Sequence, residues 1–340
     1  FDPSSQSPET PVLQAFLGCI ELVSARELLK KWGSRPTMRV SSTALFLIFA
    51  CWSMQALALD TVKVTDGIYA FVGEKKQRSP TNLANNATFG VIVTNKGTLL
   101  VDPGGSWKGA ESLHAAIRQV TDQPVRYVIN TGGQDHRWLG NGYWRKQGAT
   151  IIASEAAVAD QKDRVSMQMT MLDQLLKDSL TGTEPAYADV TFKTAHTLSI
   201  GGLSIEIRHE GQAHTPGDSF VWVPSMRTVF SGDIVYVERL LGVGPQSSSK
   251  SWIAAFDAMA AVKPEHIVPG HGGPTILKRA TAETRAYLVN LRTRIGKHIE
   301  AGGDMIGAVK VDQLSFKHLE QFSALSRRNA QAVFAEMEFE

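Results

Sequence analysis

Three segments, each a short apolar run or a turn ending in a glycine-flanked polar residue, constrain this chain more than any other feature. Residues 211–218 read Gly-Gln-Ala-His-Thr-Pro-Gly-Asp, residues 230–233 read Phe-Ser-Gly-Asp, and residues 267–272 read Ile-Val-Pro-Gly-His-Gly. Glycine and proline beside a polar residue stop a strand and turn the chain. The pattern therefore predicts strand ends from which a packed scaffold aims His214, Asp233 and His271 at one point. A lone loop histidine is usually just solvated or hydrogen-bonded. Three such segments in order carry more weight than any one of them. Imidazole and carboxylate donors suit zinc, and also iron or manganese.

Residues 38–58 stand apart from the rest. Met38-Arg39 is a short positive start, Ala44 to Cys51 is apolar, and Ala56-Leu57-Ala58 is an A-x-A cleavage signal. That is the layout of a secretory signal peptide, and the apolar run is short for a permanent membrane helix. The reading predicts cleavage after Ala58, a mature chain from Leu59 without a membrane span, and a periplasmic or secreted location. A buried N-terminal helix is the competing reading. Residues 1–37 read as an upstream extension, in which Val12, Leu13, Phe16, Leu17 and Ile20 keep helical spacing. Both cysteines, Cys19 and Cys51, precede the expected cleavage point, so the mature chain relies on its core and not on disulfides. Cys51 as a lipoprotein anchor is disfavoured by Phe49.

The rest of the 340 residues suffice for a large core, and 43% apolar with 20% charged residues is ordinary for a globular protein. A net charge of +2 without a basic stripe argues against a nucleic-acid partner. Short strands come first. Thr61–Thr65 and Ile68–Val72 flank an Asp-Gly turn, and Phe89–Thr94 and Thr98–Val101 flank Asn95-Lys96-Gly97. Ser106 to Thr121 has helical spacing, and Val125–Ile129 is an apolar run expected to be buried on both faces. Thr150–Ala153 reads as a strand and residues 154–182 as mostly helix, with a methionine stripe that suits core or pocket lining. Strands then recur at Leu203–Arg208, Ser219–Val223, Thr228–Ser231 and His266–Val268, with a helix at Ser251–Val262. These are two α+β halves. Residues 278–340 look helical apart from the break at Gly302-Gly303, which predicts a C-terminal appendage or a homodimer contact.

In order and spacing, the three opening segments resemble the later metal-binding segments of the metallo-β-lactamase superfamily, over about residues 60–275. The resemblance implies an αββα sandwich for residues 59–277 with the helical appendage beyond it. It also implies two metals, bridged by the counterpart of Asp233. The first metal uses the first two histidines of a His-x-His-x-Asp-His loop and the counterpart of His214. The second uses the loop's Asp and last His and the counterpart of His271. Here the loop reads Thr131-Gly132-Gly133-Gln134-Asp135-His136-Arg137.

Two registers align this loop. Without a gap, Asn130-Thr131 and Gly140-Asn141 match the ends of the family's segment. Gly132 and Gln134 then replace the two histidines, His136 the Asp and Arg137 the last His. With one insertion, Asp135-His136 match the Asp-His, and Thr131 and Gly133 stand for the two histidines. Both registers predict one metal per chain instead of two, zinc or else iron or manganese, held by His136, Asp233 and His271, with His214 as ligand or acid–base partner and Asp135 or Gln134 completing the set. Asp102, in Val-Asp-Pro-Gly, resembles the family's buried supporting acid. Arg137 is either an anion anchor or an ion-pair partner for Asp135 or Asp218. The implied function is an exported hydrolase of a small ester, thioester, lactone or β-lactam, with Asp135, His214 and Asp233 as the chemical residues. The alternative is a degenerate binding protein of the same fold, with a structural metal or none.

Overall fold

The computed structural model describes residues 59–340, and the signal-peptide, extension and Cys51 readings lie outside the described residues. Twelve strands make two sheets among the described residues. The first sheet runs β1 (Asp60–Thr65), β2 (Ile68–Val72), β3 (Thr88–Thr94), β4 (Gly97–Val101), β5 (Val125–Asn130), β6 (Thr150–Ser154) and β7 (Val190–Phe192) in spatial order. Its first four strands pair antiparallel, and β4 to β7 pair parallel. The second sheet is ordered β12 (His266–Val268), β11 (Thr228–Phe230), β10 (Phe220–Val223), β9 (Leu203–Arg208), β8 (Ala195–Ile200), with only β11–β12 parallel.

The alternation of side chains decides which face each strand buries. Ile68, Ile92, Leu99, Val101, Ile129 and Ile152 of the first sheet meet Ile205, Ile207, Val221, Val223, Phe230 and Val268 of the second. Deleting a ring such as Phe230 from this layer would cost about 3–5 kcal/mol. On the outer face of the first sheet lie α1 (Trp107–Ile117) and α2 (Asn141–Lys146), through Leu113, Ile117 and Trp144. The second sheet is covered by α4 (Ser249–Ala261), α6 (Ala286–Glu300) and α8 (Phe322–Met337). The result is helix, sheet, sheet, helix.

A long helix, α3 (Glu155–Leu176), starts where the Ser154 hydroxyl caps the Ala157 amide. The same hydroxyl donates to the Gly217 carbonyl at 2.8 Å, which ties α3 to the His214–Asp218 turn. The C-terminal helices share one core with the second sheet. Leu288, Leu291 and Ile295 of α6 and Leu325, Val333 and Phe334 of α8 bury there with Trp252 and Phe256 of α4. A short helix α5 (Leu277–Ala280) enters α6 through a π turn, and α7 (Met305–Ala308) follows the glycine break. The helical pattern expected over residues 278–340 is interrupted by a 3-10 turn at Leu314–Phe316 and resumes as a helix only from Phe322. Among the described residues no helix is long and apolar enough to cross a membrane.

Candidate active site

The C-terminal ends of β4, β5, β11 and β12 lie at one edge of the sandwich. Asp102 follows β4, the Thr131–Arg137 loop follows β5, Asp233 follows β11 and His271 follows β12. At the centre is an ion-pair chain. Arg137 Nη2 donates to Asp233 Oδ1 at 2.7 Å and Arg137 Nε to Oδ2 at 3.2 Å. Its Nη1 donates to Asp102 Oδ2 at 2.8 Å and to the Thr88 carbonyl, and Nη2 also reaches the Gly270 carbonyl. All five guanidinium N–H groups thus have acceptors. Gly270 makes the fit possible, because a Cβ there would stand 2.7 Å from Arg137 Nη2.

His136 and His271 flank Asp233 on its two oxygens. His136 Nε2 lies 3.4 Å from Oδ2 and His271 Nε2 lies 3.3 Å from Oδ1. One ligand atom from each of the three buried residues falls within 4.8 Å of the others, the geometry of a candidate metal triad. The His136 nitrogen is nonetheless not aligned with Oδ2 and makes no hydrogen bond in the protein. Burial alone would raise the Asp233 carboxyl, but Arg137 and the two histidines hold it well below the usual range. Burial, aided by Arg239, keeps His271 neutral.

The far nitrogens of both rings meet arginines. Arg78 Nη2 donates to His136 Nδ1 at 3.1 Å, and Arg239 Nη1 donates to His271 Nδ1 at 2.9 Å. Arg78 also grips Asp135, which accepts from the Gln134 amide and the His136 backbone as well, and whose Oδ1 lies 3.2 Å from His136 Nδ1. Burial opposes ionisation of Asp135, and Arg78 overcomes it, so Asp135 stays charged. Asp135 stands outside the triad, with its second oxygen unpartnered.

His214 is one aromatic ring away. It packs on Tyr236 and Trp252, and Tyr236 stacks on His271 at 4.5 Å between centroids. Its Nδ1 donates to the Gly242 carbonyl at 2.9 Å, which leaves the lone pair on Nε2. Burial lowers its pKa to about 4. Asp102 supports the loop: it accepts from the Thr131 amide at 2.8 Å and hydroxyl at 2.9 Å, and from Arg137. Burial pushes its carboxyl up, against those donors. Asp218 accepts from the Thr215 amide at 2.8 Å and from its hydroxyl, within the turn that carries His214. Arg137 pairs with neither Asp135 nor Asp218 and, being fully buried, does not reach the cavity.

The family's two-metal arrangement does not fit these residues. A Cβ at Gly132 would stand 2.3 Å from Asp218 Oδ1, and one at Gly133 would stand 1.8 Å from Asp160 Oδ2. The space of larger side chains is already filled. Arg137 offers donors only, where the gapless register expects a histidine. That register agrees with the reciprocal amide bonds between Asn130 and Asn141, at 2.9 and 2.8 Å, that close the loop. Gln168 of α3, which carries no motif, secures the loop by donating to the Gly133 carbonyl at 2.9 Å and accepting from the Trp138 indole at 2.9 Å.

A cavity of about 310 Å³ opens beside the triad. Its lining includes His136, His214 and His271, and it carries Arg78, Arg164, Arg239 and Arg328 but no carboxylate. The Nε atoms of Arg78 and Arg239 are buried there without a partner. Of these arginines only Arg239 stood near a motif in the sequence. Arg78 lies in the β2–β3 loop, where nothing but a run of basic residues marks it.

Three relatives share the arrangement of sheets or its sequence. A metallo-beta-lactamase from Pontibacter korlensis superposes with a TM-score of 0.56 at 22% identity, over 68% of this chain and 99% of that one. A metallo-beta-lactamase type 2 of Bacteroides fragilis is 23% identical over 68% of this chain and 89% of its own length. A linear primary-alkylsulfatase of a Pseudomonas species is 22% identical over 54% of this chain, which spans only 41% of that enzyme. The helices from α6 onward lie beyond the stretch that the family profile covers. That profile, the Metallo-beta-lactamase superfamily, matches residues 84–271, from the β2–β3 loop to His271. With more than half of the sequence matched and the αββα architecture in place, this chain belongs to the metallo-β-lactamase superfamily.

Proposed function

We propose that the cleft receives a small anionic molecule and hydrolyses an ester, thioester, lactone or β-lactam bond in it. The observation that carries this reading is the cavity wall: four arginines, three histidines and no carboxylate. Such a wall attracts an anion and penalises a cation. A sulfate monoester, the class in the name of the alkylsulfatase relative, has suitable charge. His214 is neutral at pH 7, and its Nε2 lone pair is suited to take a proton from water. The unpartnered Nε–H groups of Arg78 and Arg239 are suited to an oxyanion. Zinc, iron or manganese at His136, Asp233 and His271 would number one ion per chain at most.

A panel of aryl sulfates, thioesters, lactones and β-lactams, each with a neutral counterpart, tests the reading. Arg328→Gln should raise KM about tenfold or more for the anionic member and change the neutral one little. Equal turnover of neutral and anionic substrates, unaffected by Arg328→Gln, would sink it. A second reading, anion binding without turnover, is favoured by Arg137 standing on Asp233 where the family places a metal. It predicts saturable anion binding and no hydrolysis of any panel member. Export is proposed on the Met38–Ala58 layout, and intact mass of periplasmic protein beginning at Leu59 checks it.

A further inference from the structure

We infer that His136, Asp233 and His271 form a metal-free assembly, in which Arg78 and Arg239 hold both imidazoles protonated at Nε2 and three guanidiniums supply the positive charge that the family takes from metal ions. Guanidinium carries five donors and no acceptor, and it does not deprotonate in proteins. Its contacts to His136 Nδ1 at 3.1 Å and His271 Nδ1 at 2.9 Å are therefore hydrogen bonds only if Nδ1 bears the lone pair. A neutral imidazole with its lone pair on Nδ1 has its proton on Nε2. Turning either ring over would set a carbon against the guanidinium and lose the bond.

Nε2 is the atom that each ring presents to Asp233, at 3.4 and 3.3 Å. A protonated nitrogen has no lone pair for a metal. Histidines that ligate metals are built the opposite way, with the far nitrogen donating to a carboxylate, a carbonyl or water. His214 shows that arrangement in this same cleft, with Nδ1 on the Gly242 carbonyl. His136 Nδ1 has a carboxylate oxygen, Asp135 Oδ1, at 3.2 Å beside its Arg78 contact at 3.1 Å, whereas His271 Nδ1 meets Arg239. To take an ion, His271 would have to press an N–H against a guanidinium or lose both protons, and His136 would have to exchange Arg78 for Asp135.

Charge leads to the same conclusion. Asp102, Asp135, Asp218 and Asp233 are buried beside Arg78, Arg137 and Arg239, four carboxyls against three guanidiniums, and burial pushes Asp218 up to about 8, which leaves three of the four charged at pH 7. A divalent ion would add uncompensated charge to a buried, balanced cluster. Around the triad three donors, His136 Nε2 and the Nε of Arg78 and Arg239, stand without an acceptor, beside two unpartnered oxygens, Asp135 Oδ2 and Asn86 Oδ1.

The inference concerns the triad and does not require turnover. Long-range 15N–1H correlation of His136 and His271, in protein purified without chelator or added metal, reads the tautomer directly. The expected result is Nε2–H in both rings, with zinc, iron and manganese well under one per chain by elemental analysis. Arg78→Gln/Arg239→Gln supplies carbonyl oxygens for an Nδ1–H and should tighten zinc binding by about tenfold or more. If that variant does not fold, the spectrum of the unaltered chain decides. One retained metal per chain with both rings protonated at Nδ1 would overturn the inference. So would hydrolysis abolished by a chelator and restored by zinc, which would leave the hydrolase reading standing. Lack of turnover in a metal-free, Nε2–H protein would remove the hydrolase reading and leave this one intact.

Discussion

Arg137 sits on both carboxylate oxygens of Asp233, at 2.7 and 3.2 Å, with neither side chain exposed. In the family's pattern those two positions belong to a metal ligand and the bridging carboxylate. Here the cation is covalently part of the chain. A fixed guanidinium cannot dissociate, so one positive charge stands between Asp233 and Asp102 in every copy of the folded protein.

Removing that guanidinium should therefore damage folding before chemistry. Arg137→Met leaves two buried carboxylates without their cation, and breaking a buried pair costs about 3–5 kcal/mol. Arg137→Lys keeps the charge but cannot reach five acceptors, and should lose less. Urea denaturation of the three proteins checks the order. Equal stability of Arg137→Met and the unaltered chain would mean that Asp233 is not ionised.

Restoring the family's loop histidine should fail. Gly132→His puts a Cβ within 2.3 Å of Asp218 Oδ1, in a turn fixed by Thr215. Overpacking of this kind costs about 1–3 kcal/mol. The variant should melt lower and hold no more zinc than before, as thermal unfolding and elemental analysis would show.

His214 sets a pH signature. Its folded pKa is lowered to about 4 from 6.5, so the ring remains an available base until pH falls to about 4. A pH profile of kcat/KM should stay level through 6.5 and drop only toward about 4. The sign for stability follows: the unfolded chain binds the proton near 6.5 and the folded chain near 4. Stability from this group is complete above 6.5 and is lost as pH falls between the two values. An acid limb at the ordinary imidazole value would remove His214 as the base.

The fold was legible because strand ends and turn chemistry are local. The Gly-flanked Asp233 and His271 stand after β11 and β12 as their spacing implies. The short strands β7 and β8 and the helix α2 were not, since Val190–Phe192 has three residues and Ala195–Ile200 is largely exposed. Within the site, His136, Asp233 and His271 were readable as a set. The contacts that define their chemistry were not. Arg78 comes from 58 residues before His136 and Arg239 from 32 before His271, and neither lies in a motif. Long-range pairs between a loop arginine and a ring nitrogen leave no periodicity to read. Arg137 was visible, yet its partner Asp233 is 96 residues away, and only the folded edge shows the pair.

The C-terminal helices reach the cleft through Leu325, Arg328 and Asn329 of α8, and the last of these also holds the loop beside His214. Asn329 of α8 donates to the Leu241 carbonyl at 2.8 Å and to the Tyr287 hydroxyl at 2.9 Å, and accepts from the Val243 amide at 2.8 Å. Between those two loop residues is Gly242, whose carbonyl orients His214. Asn329→Ala leaves the buried Val243 amide without an acceptor, which costs about 1–3 kcal/mol. If α8 positions His214 in this way, kcat should fall more than KM rises. The acid limb of the pH profile should also move up from about 4 toward 6.5, because a loosened ring is better hydrated. A stability loss with kcat and the acid limb unchanged would show that α8 supports the core alone.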